Sequence, residues 1–183
     1  MRIASFVYDP GKGAEVDVVL AAVAAALRSS GLRLGGAIQI NSDDGNRCSC
    51  DMSLEDLASG RRVLISENRG PLARGCRLDP RGLEEVVGLV EASIERGIDV
   101  LIVNKFGKRE TEGKGFRDAI EAALAKGASV LVAVSAASLE AWEAFVAGLD
   151  ERLAFDEATA IRWALAATER PGSETMAAAV PAE

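Results

Sequence analysis

Three short runs made up almost entirely of apolar residues are the feature that most constrains the fold of this chain. They span residues 3–8, 100–103 and 130–134, and segments with helical spacing separate them. A strand that is apolar along its whole length is buried on both faces, which is typical of a parallel sheet covered by helices on both sides. The pattern therefore predicts an α/β fold with three layers and a mostly parallel sheet.

The middle of the chain interrupts this alternation. A polar loop precedes two short apolar runs that are joined by the turn residues Leu57-Ala58-Ser59-Gly60. This arrangement predicts a β-hairpin inserted at about residues 46–67. Downstream, Asp79 suits a helix N-cap and Pro80 suits the first helical position, so a helix is expected from residue 80 to about residue 96.

The remaining elements complete a single domain. A further strand is predicted over residues 32–40, and helices over residues 15–30, 115–126, 138–147 and 156–167, with a short segment at 152–155 and a charged loop after residue 103. We expect one α/β domain over residues 1–168. Residues 169–183, which end in a run rich in alanine, are expected to form a disordered tail.

Composition restricts the classes of function. The chain has 28 acidic and 21 basic side chains and a net charge of −7, which disfavours a general nucleic-acid binder. No apolar stretch reaches the ~20 residues of a transmembrane helix, so no membrane insertion is expected. The chain has no histidine, which excludes Ser-His and Cys-His catalysis and histidine-ligated metals. Three cysteines and an N-terminus without signal-peptide character predict a cytoplasmic protein.

A glycine–lysine turn precedes the first predicted helix. Gly11, Lys12 and Gly13 resemble the end of the phosphate-loop pattern GxxxxGK[ST], although the first glycine of that pattern falls at Phe6 and the hydroxyl position at Gly13. A Gly-Lys-Gly turn at a helix N-terminus still offers backbone N–H groups and one ammonium to an anion. The alternative is a flexible turn with a solvated lysine.

The loop after the strand at residues 100–103 gives a second candidate segment. Asn104 and Lys105 stand where a phosphate-loop hydrolase has an Asp that holds magnesium and often a Glu that activates water. An amide is a poorer magnesium ligand than a carboxylate and a charged ammonium is not a base, so efficient hydrolysis is not expected. Gly107, Lys108 and Glu110 complete a candidate anion- or nucleotide-binding loop, and the alternative is a solvated charged loop.

Sulfur atoms are concentrated around the predicted hairpin. Cys48, Cys50 and Met52 alternate along one strand and so share a face, and Cys76 follows the partner strand. Thiolate and thioether ligands suit Cu(I) or another soft metal ion, which makes these four residues a candidate metal site. The alternative is a buried strand face on which cysteine acts as a small hydrophobe.

Arginines surround the same region. Arg69 and Arg77 lie in a loop rich in glycine, and the guanidinium fork suits bidentate contact with phosphate or another tetrahedral oxyanion. Both are therefore candidate anion-binding residues. Surface ion pairs with the abundant carboxylates are the alternative.

Four segments together resemble an uncharacterised bacterial family that is commonly encoded beside molybdate-transport genes. These segments are residues 8–11, 48–52, 75–79 and 104–110, and the resemblance extends from about residue 2 to residue 153. The family is also distantly similar to small phosphate-loop nucleoside-triphosphatases, in which the corresponding loop reads Asp-Glu-Ile-Gly-Lys-Met-Glu. On that comparison Gly107, Lys108 and Glu110 keep their residue types, whereas Asn104 and Lys105 replace the two carboxylates.

The resemblance implies a sheet of the phosphate-loop NTPase type and a link to molybdenum metabolism. We expect a cytoplasmic accessory protein that binds an oxyanion or a metal ion, with molybdate, a soft metal or a nucleotide as its ligand. The expected protein partners are molybdate-transport or cofactor-assembly proteins. The alternatives are a nucleotide-binding protein or weak nucleoside-triphosphatase, and a regulatory partner that performs no chemistry.

Overall fold

The computed structural model describes residues 2–42, 51–66 and 78–168. Its strands form one seven-stranded sheet: β1 Ile3–Tyr8, β2 Leu34–Ser42, β3 Asp51–Asp56, β4 Arg62–Leu64, β5 Val100–Phe106, β6 Ser129–Ser135 and β7 Asp150–Arg152. The order across the sheet is β4-β3-β2-β5-β6-β1-β7. Taken in this order, the five strands from β2 to β7 run parallel to one another. β3 runs antiparallel to both of its neighbours, β2 and β4. The predicted mostly parallel sheet is confirmed.

Helices cover both faces of the sheet. They are α1 Gly13–Ser29, α2 Pro80–Arg96, α3 Lys108–Thr111, α4 Arg117–Ala125, α5 Leu139–Val146 and α6 Glu157–Thr168. One apolar cluster joins the sheet to α1 and α6, and a second joins it to α2, α4 and α5. On β5, Val100 and Ile102 belong to the first cluster, while Leu101 and Val103 belong to the second. Because successive side chains of a strand face opposite sides, a strand between two helix layers must be apolar throughout.

The start of α2 follows from its cap. The Asp79 carboxylate accepts a hydrogen bond from the Arg81 backbone N–H at 2.9 Å, and Pro80 occupies the first helical position. Gly97, with φ +91°, follows the last helical residue. These local signals fix both ends of the helix, and the bounds predicted from the sequence agree with the observed ones.

The hairpin extends the sheet at one edge. β3 pairs with both β2 and β4, and residues 46–50 and 67 of the predicted hairpin lie outside the described residues. The junction of this edge with the parallel core is tight at Gly36, which has φ +95° and where a Cβ would lie 2.0 Å from the carbonyl oxygen of Ile102. Only glycine fits both the backbone conformation and the space at this point.

Two elements were not predicted. The segment expected at residues 152–155 is preceded by a strand, β7, which pairs parallel with β1. The loop after β5 contains the one-turn helix α3. The predicted tail, residues 169–183, lies outside the described residues. No helix in the part of the chain that the structure describes is long and apolar enough to cross a membrane.

Candidate functional site

Polar residues that belong to neither apolar cluster lie at the carboxyl ends of the parallel strands. We call this border of the sheet the carboxyl edge; the N-terminus of α1 lies there because α1 follows β1 directly. In open sheets of this kind, ligands bind at such an edge. The connections after β1 and β5, both predicted as candidate segments, therefore meet on one side of the molecule.

The connection between β1 and α1 is a four-residue turn. The Lys12 backbone N–H donates to the Asp9 carbonyl oxygen at 3.1 Å, Pro10 is the second residue, and Gly11 has φ +96°. Proline second and a left-handed glycine third are the pattern of a type II turn. The GxxxxGK segment of a phosphate loop is itself seven residues long, so this turn is too short to wrap around a phosphate as that loop does.

The Gly11-Lys12-Gly13 segment nevertheless stands at a helix N-terminus, as predicted. Lys12 is exposed and forms the N-cap, but its side chain makes no capping hydrogen bond. The first backbone N–H groups of a helix have no intrahelical acceptor and carry partial positive charge. The turn and the first turn of α1 thus offer N–H donors and one exposed ammonium to an anion.

A buried network links α1 to β5. The Lys105 ammonium lies 2.7 Å from Asp17 Oδ1 and donates to Gln39 Oε1 at 3.1 Å. The Asn104 amide nitrogen donates to the same Asp17 oxygen at 2.8 Å. Asp17 and Asn104 are 6% and 3% exposed. We call these four residues, Asp17, Gln39, Asn104 and Lys105, the Asp17 network.

One atom of the network has no partner. The Oδ1 atom of Asn104 is buried and accepts no hydrogen bond within the described residues. A carboxylate only accepts hydrogen bonds, so the contact with Asp17 requires the Asn104 NH2 group to face Asp17 and leaves Oδ1 on the other side of the amide. An unpartnered buried acceptor is unusual in a folded protein, and a bound water, an ion or a functional role accounts for such groups.

The network reaches the N-terminus of α1. A Cβ built on Gly13 would lie 3.7 Å from the Lys105 ammonium nitrogen. Lys105, predicted as an anion-binding residue, therefore lies beside the glycine-lysine turn, although the two segments are far apart in sequence. Asp17 offsets the charge of this ammonium, so the positive potential at this point of the carboxyl edge comes from the helix N-terminus and the exposed Lys12.

Glu110 is buried against the backbone of its own loop. Its carboxylate accepts hydrogen bonds from the backbone N–H groups of Gly107 at 2.9 Å and Phe116 at 3.1 Å. Burial raises the pKa of this carboxyl, and the two backbone donors oppose that shift. Both Glu110 oxygens are thus engaged in holding the loop from Gly107 to Phe116. Burial also raises the pKa of the Tyr8 phenol.

Lys108 lies apart from the Asp17 network. Its side chain is 86% exposed and pairs with Glu112, one turn along α3, at 3.9 Å. Gly107 is the N-cap of α3. Of the predicted loop residues, the structure brings Asn104 and Lys105 to the helix N-terminus and leaves Lys108 on the surface.

The predicted metal site falls mostly outside the described residues. Met52 is partly buried and packs against the apolar cluster beneath α2. Among the described ranges there is no group of three or more Cys, Asp or Glu side chains able to hold a metal ion. Cys48, Cys50 and Cys76, and the predicted anion-binding residues Arg69 and Arg77, lie outside these ranges, so those assignments stay predictions.

Sequence reasoning missed Asp17 and Gln39. Asp17 lies on the buried face of α1 with Leu20, Ala24 and Leu27, and a carboxylate among apolar positions at helical spacing was the available signal. No such signal marks Gln39, because it occupies a strand and its contact with Lys105 spans 66 positions of the sequence.

Solved structures share the fold. The crystal structure of THEP1 from the hyperthermophile Aquifex aeolicus matches with a TM-score of 0.63 and 15% identity, covering 92% of this chain and 99% of that one. The solution structure of a human cancer-related nucleoside triphosphatase matches with a TM-score of 0.60 and 16% identity, covering 91% and 95%. These likenesses confirm the predicted fold, a three-layer sheet of the phosphate-loop NTPase type.

A curated relative is more similar in sequence. The molybdenum import ATP-binding protein ModC 2 of Bradyrhizobium diazoefficiens is 35% identical over 162 residues, which make up 88% of this chain and 18% of that protein. The chain thus spans less than a fifth of the length of this relative.

A family model covers most of the domain. It matches residues 3–163, which include β1, the turn before α1 and all four residues of the Asp17 network. The chain belongs to the family described as "Protein of unknown function (DUF2478)".

Proposed function

We propose that this protein binds a single tetrahedral oxyanion of the molybdate class at the N-terminus of α1, as an accessory protein of molybdenum metabolism. The observation that carries the proposal is the position of the Lys105 ammonium beside Gly13, next to the exposed N-cap residue Lys12 of the same helix. Two ammonium groups and uncapped N–H donors at one helix N-terminus suit a small anion.

The length of the turn supports a small anion over a nucleotide. Only four residues connect β1 to α1, and their own hydrogen bond closes the turn. A triphosphate needs a longer loop whose N–H groups surround it, whereas a single tetrahedral anion needs only the helix end and one or two cations. The name of the 35% identical relative, a molybdenum import protein, supports molybdate as that anion and transport proteins as partners.

The residues at the end of β5 oppose hydrolysis. Asn104 and Lys105 are engaged with Asp17, and both oxygens of Glu110 accept backbone hydrogen bonds. A general base needs a free, correctly placed acceptor near the attacking water. We therefore assign this site to binding rather than to catalysis.

Nucleotide binding is the second candidate. The shared fold with a nucleoside triphosphatase and the ATP-binding activity named for the relative favour it. On this alternative, Lys12 and the first turn of α1 contact one phosphate of the nucleotide while the remainder lies on the surface of the carboxyl edge.

Isothermal titration calorimetry with separate titrations of molybdate, tungstate, sulfate, phosphate and ATP tests both candidates. We expect molybdate to bind, and Lys12→Ala to weaken it about tenfold, which corresponds to the loss of one charged contact. An unchanged dissociation constant in Lys12→Ala contradicts the site. Binding of ATP without binding of molybdate favours the second candidate.

Two variants serve as controls. Lys126→Ala removes an ammonium that pairs with Glu95 at the end of the helices opposite to the site, and we expect it to leave the affinity unchanged. Glu15→Gln removes a negative charge from the first turn of α1, and we expect it to strengthen anion binding. Equal weakening of anion binding by Lys12→Ala and Lys126→Ala indicates a response to net charge rather than a local site.

A further inference from the structure

We infer that Lys105 supplies the cation of this site from within the chain, so that the site takes a metal-free oxyanion and excludes magnesium and magnesium-bound nucleotides. The inference rests on the proposed function, since it names the form in which the anion binds. It also makes a claim about metal binding that stands apart from any anion.

The ammonium of Lys105 lies among oxygen ligands of the kind that magnesium prefers. Asp17 Oδ1 is 2.7 Å from the nitrogen and Gln39 Oε1 is 3.1 Å from it. A carboxylate and amide oxygens are typical hard ligands for Mg²⁺ or Mn²⁺. The ammonium thus occupies a position that a metal ion would otherwise suit.

The unpartnered oxygen of Asn104 is an independent observation at the same place. Asn104 is only 3% exposed, and its Oδ1 accepts no hydrogen bond within the described residues. The Nδ2 atom of the same amide lies 2.8 Å from Asp17 Oδ1. The amide thus adds a second hydrogen-bond donor to the carboxylate that holds the ammonium, and its buried oxygen is left without a partner on the other side.

Charge explains why the occupied position excludes a metal. Asp17 and Lys105 together are neutral, and the N-terminus of α1 beside them carries partial positive charge. A divalent ion would add two positive charges next to the Lys105 ammonium with one carboxylate to offset them. The Lys105 ammonium is part of the chain and lies 2.7 Å from that carboxylate. It therefore occupies this position without the loss of translational entropy that a free metal ion incurs on binding.

The consequence concerns the class of ligand. A nucleoside triphosphate commonly reaches a protein with its phosphates on magnesium, which a nearby carboxylate also holds. Asp17, the buried carboxylate of this network, is instead committed to Lys105 and Asn104. A free oxyanion needs no metal and meets an ammonium already in place.

Manganese titration followed by electron paramagnetic resonance tests the occupied position directly. We expect no stoichiometric Mn²⁺ on the wild-type network, at least a tenfold gain in Mn²⁺ affinity in Lys105→Ala, and loss of that gain in Lys105→Ala combined with Asp17→Asn. Lys126→Ala is the matched control, because it also breaks a lysine–carboxylate pair of 2.7 Å, and it should gain no affinity. A folded Lys105→Ala variant that binds no Mn²⁺ overturns the inference.

A measurement on the wild-type protein covers the case in which Lys105→Ala does not fold. Molybdate titrations in buffer freed of metal ions by a chelating resin and in buffer with added magnesium should give dissociation constants within about twofold of each other, since neither condition changes the internal cation. A tenfold or greater loss of affinity in the metal-free buffer overturns the inference and leaves the proposed function in place. Absence of molybdate binding under both conditions overturns the proposed function and the part of the inference that concerns the anion, whereas the manganese titration decides the claim about metal binding.

Discussion

Two lysine–carboxylate ion pairs with the same N–O distance lie at opposite ends of the parallel strands. Lys105 and Asp17 are 2.7 Å apart at the carboxyl edge, and their side chains are 26% and 8% exposed. Lys126 and Glu95 are also 2.7 Å apart, near the starts of β5 and β6, and their side chains are 42% and 70% exposed. The two pairs have the same chemistry and differ in burial.

The difference teaches what each pair contributes. An exposed ion pair gains little because water and salt screen both charges. A buried pair is costly to form, but removal of one partner leaves a charge in a medium that solvates it poorly. The geometry of the pair at the carboxyl edge is therefore held by a large penalty for breaking it, which keeps the Lys105 ammonium beside the N-terminus of α1.

The largest effect is expected from Asp17→Ala. It leaves the partly buried Lys105 ammonium and the Asn104 amide without their shared acceptor, and we expect the free energy of unfolding to fall by roughly 3 kcal/mol. Urea denaturation followed by circular dichroism measures this change. The double variant Asp17→Ala/Lys105→Met should recover part of the loss, because it removes both charges together. A loss in Asp17→Ala no greater than that of an exposed pair contradicts the comparison.

An intermediate effect is expected from Glu110→Gln, in which the buried carboxylate is held by backbone groups rather than by a lysine. Glutamine has one acceptor oxygen for the two N–H groups of Gly107 and Phe116, and we expect a loss of about 1–2 kcal/mol at low pH. Glu112→Gln, at the exposed C-cap of the same short helix, is the control and should change stability little.

The loss of stability in Glu110→Gln is expected to become smaller as the pH rises. Burial raises the pKa of Glu110 above its usual value of 4.5, so the folded state holds the proton more tightly than the unfolded state. The stability contributed by the protonated form is complete below pH 4.5 and is lost as the pH rises through the pKa of the folded state. Denaturation at several pH values should show the difference between wild type and Glu110→Gln narrowing with rising pH. A constant difference contradicts the assignment.

The smallest effect is expected from Glu95→Ala. Its partner Lys126 remains in water, and we expect a loss below about 1 kcal/mol that disappears in 1 M salt. Thermal unfolding at low and high salt measures it. A loss comparable to that of Asp17→Ala would mean that the length of an ion pair, rather than its burial, decides its contribution.

Local signals were sufficient to predict most of the fold. The apolar runs that became β1, β5 and β6 were recognisable because a strand between two helix layers has no polar face. Asp79 and Pro80 fixed the start of α2 because capping involves neighbours in the sequence. The turn before α1 was also readable, since Pro10-Gly11 is the central pair of a type II turn.

Contacts between distant parts of the chain were not predictable in the same way. Asp17 and Asn104 are 87 residues apart, and no periodicity in either segment refers to the other. The strand β7 consists of Asp150, Glu151 and Arg152. These residues lack the apolar character of a central strand because β7 is the outermost strand on its side of the sheet. The sequence therefore predicted two separate candidate segments, and the structure shows that they lie side by side.

The two outermost strands described in the sheet, β4 and β7, are each only three residues long and carry charged side chains, among them Arg62, Glu151 and Arg152. Long, apolar, unpaired strands act as templates on which other chains add and fibres grow. Neither β4 nor β7 offers such a template, so edge-to-edge polymerisation of sheets through these two described strands is not expected.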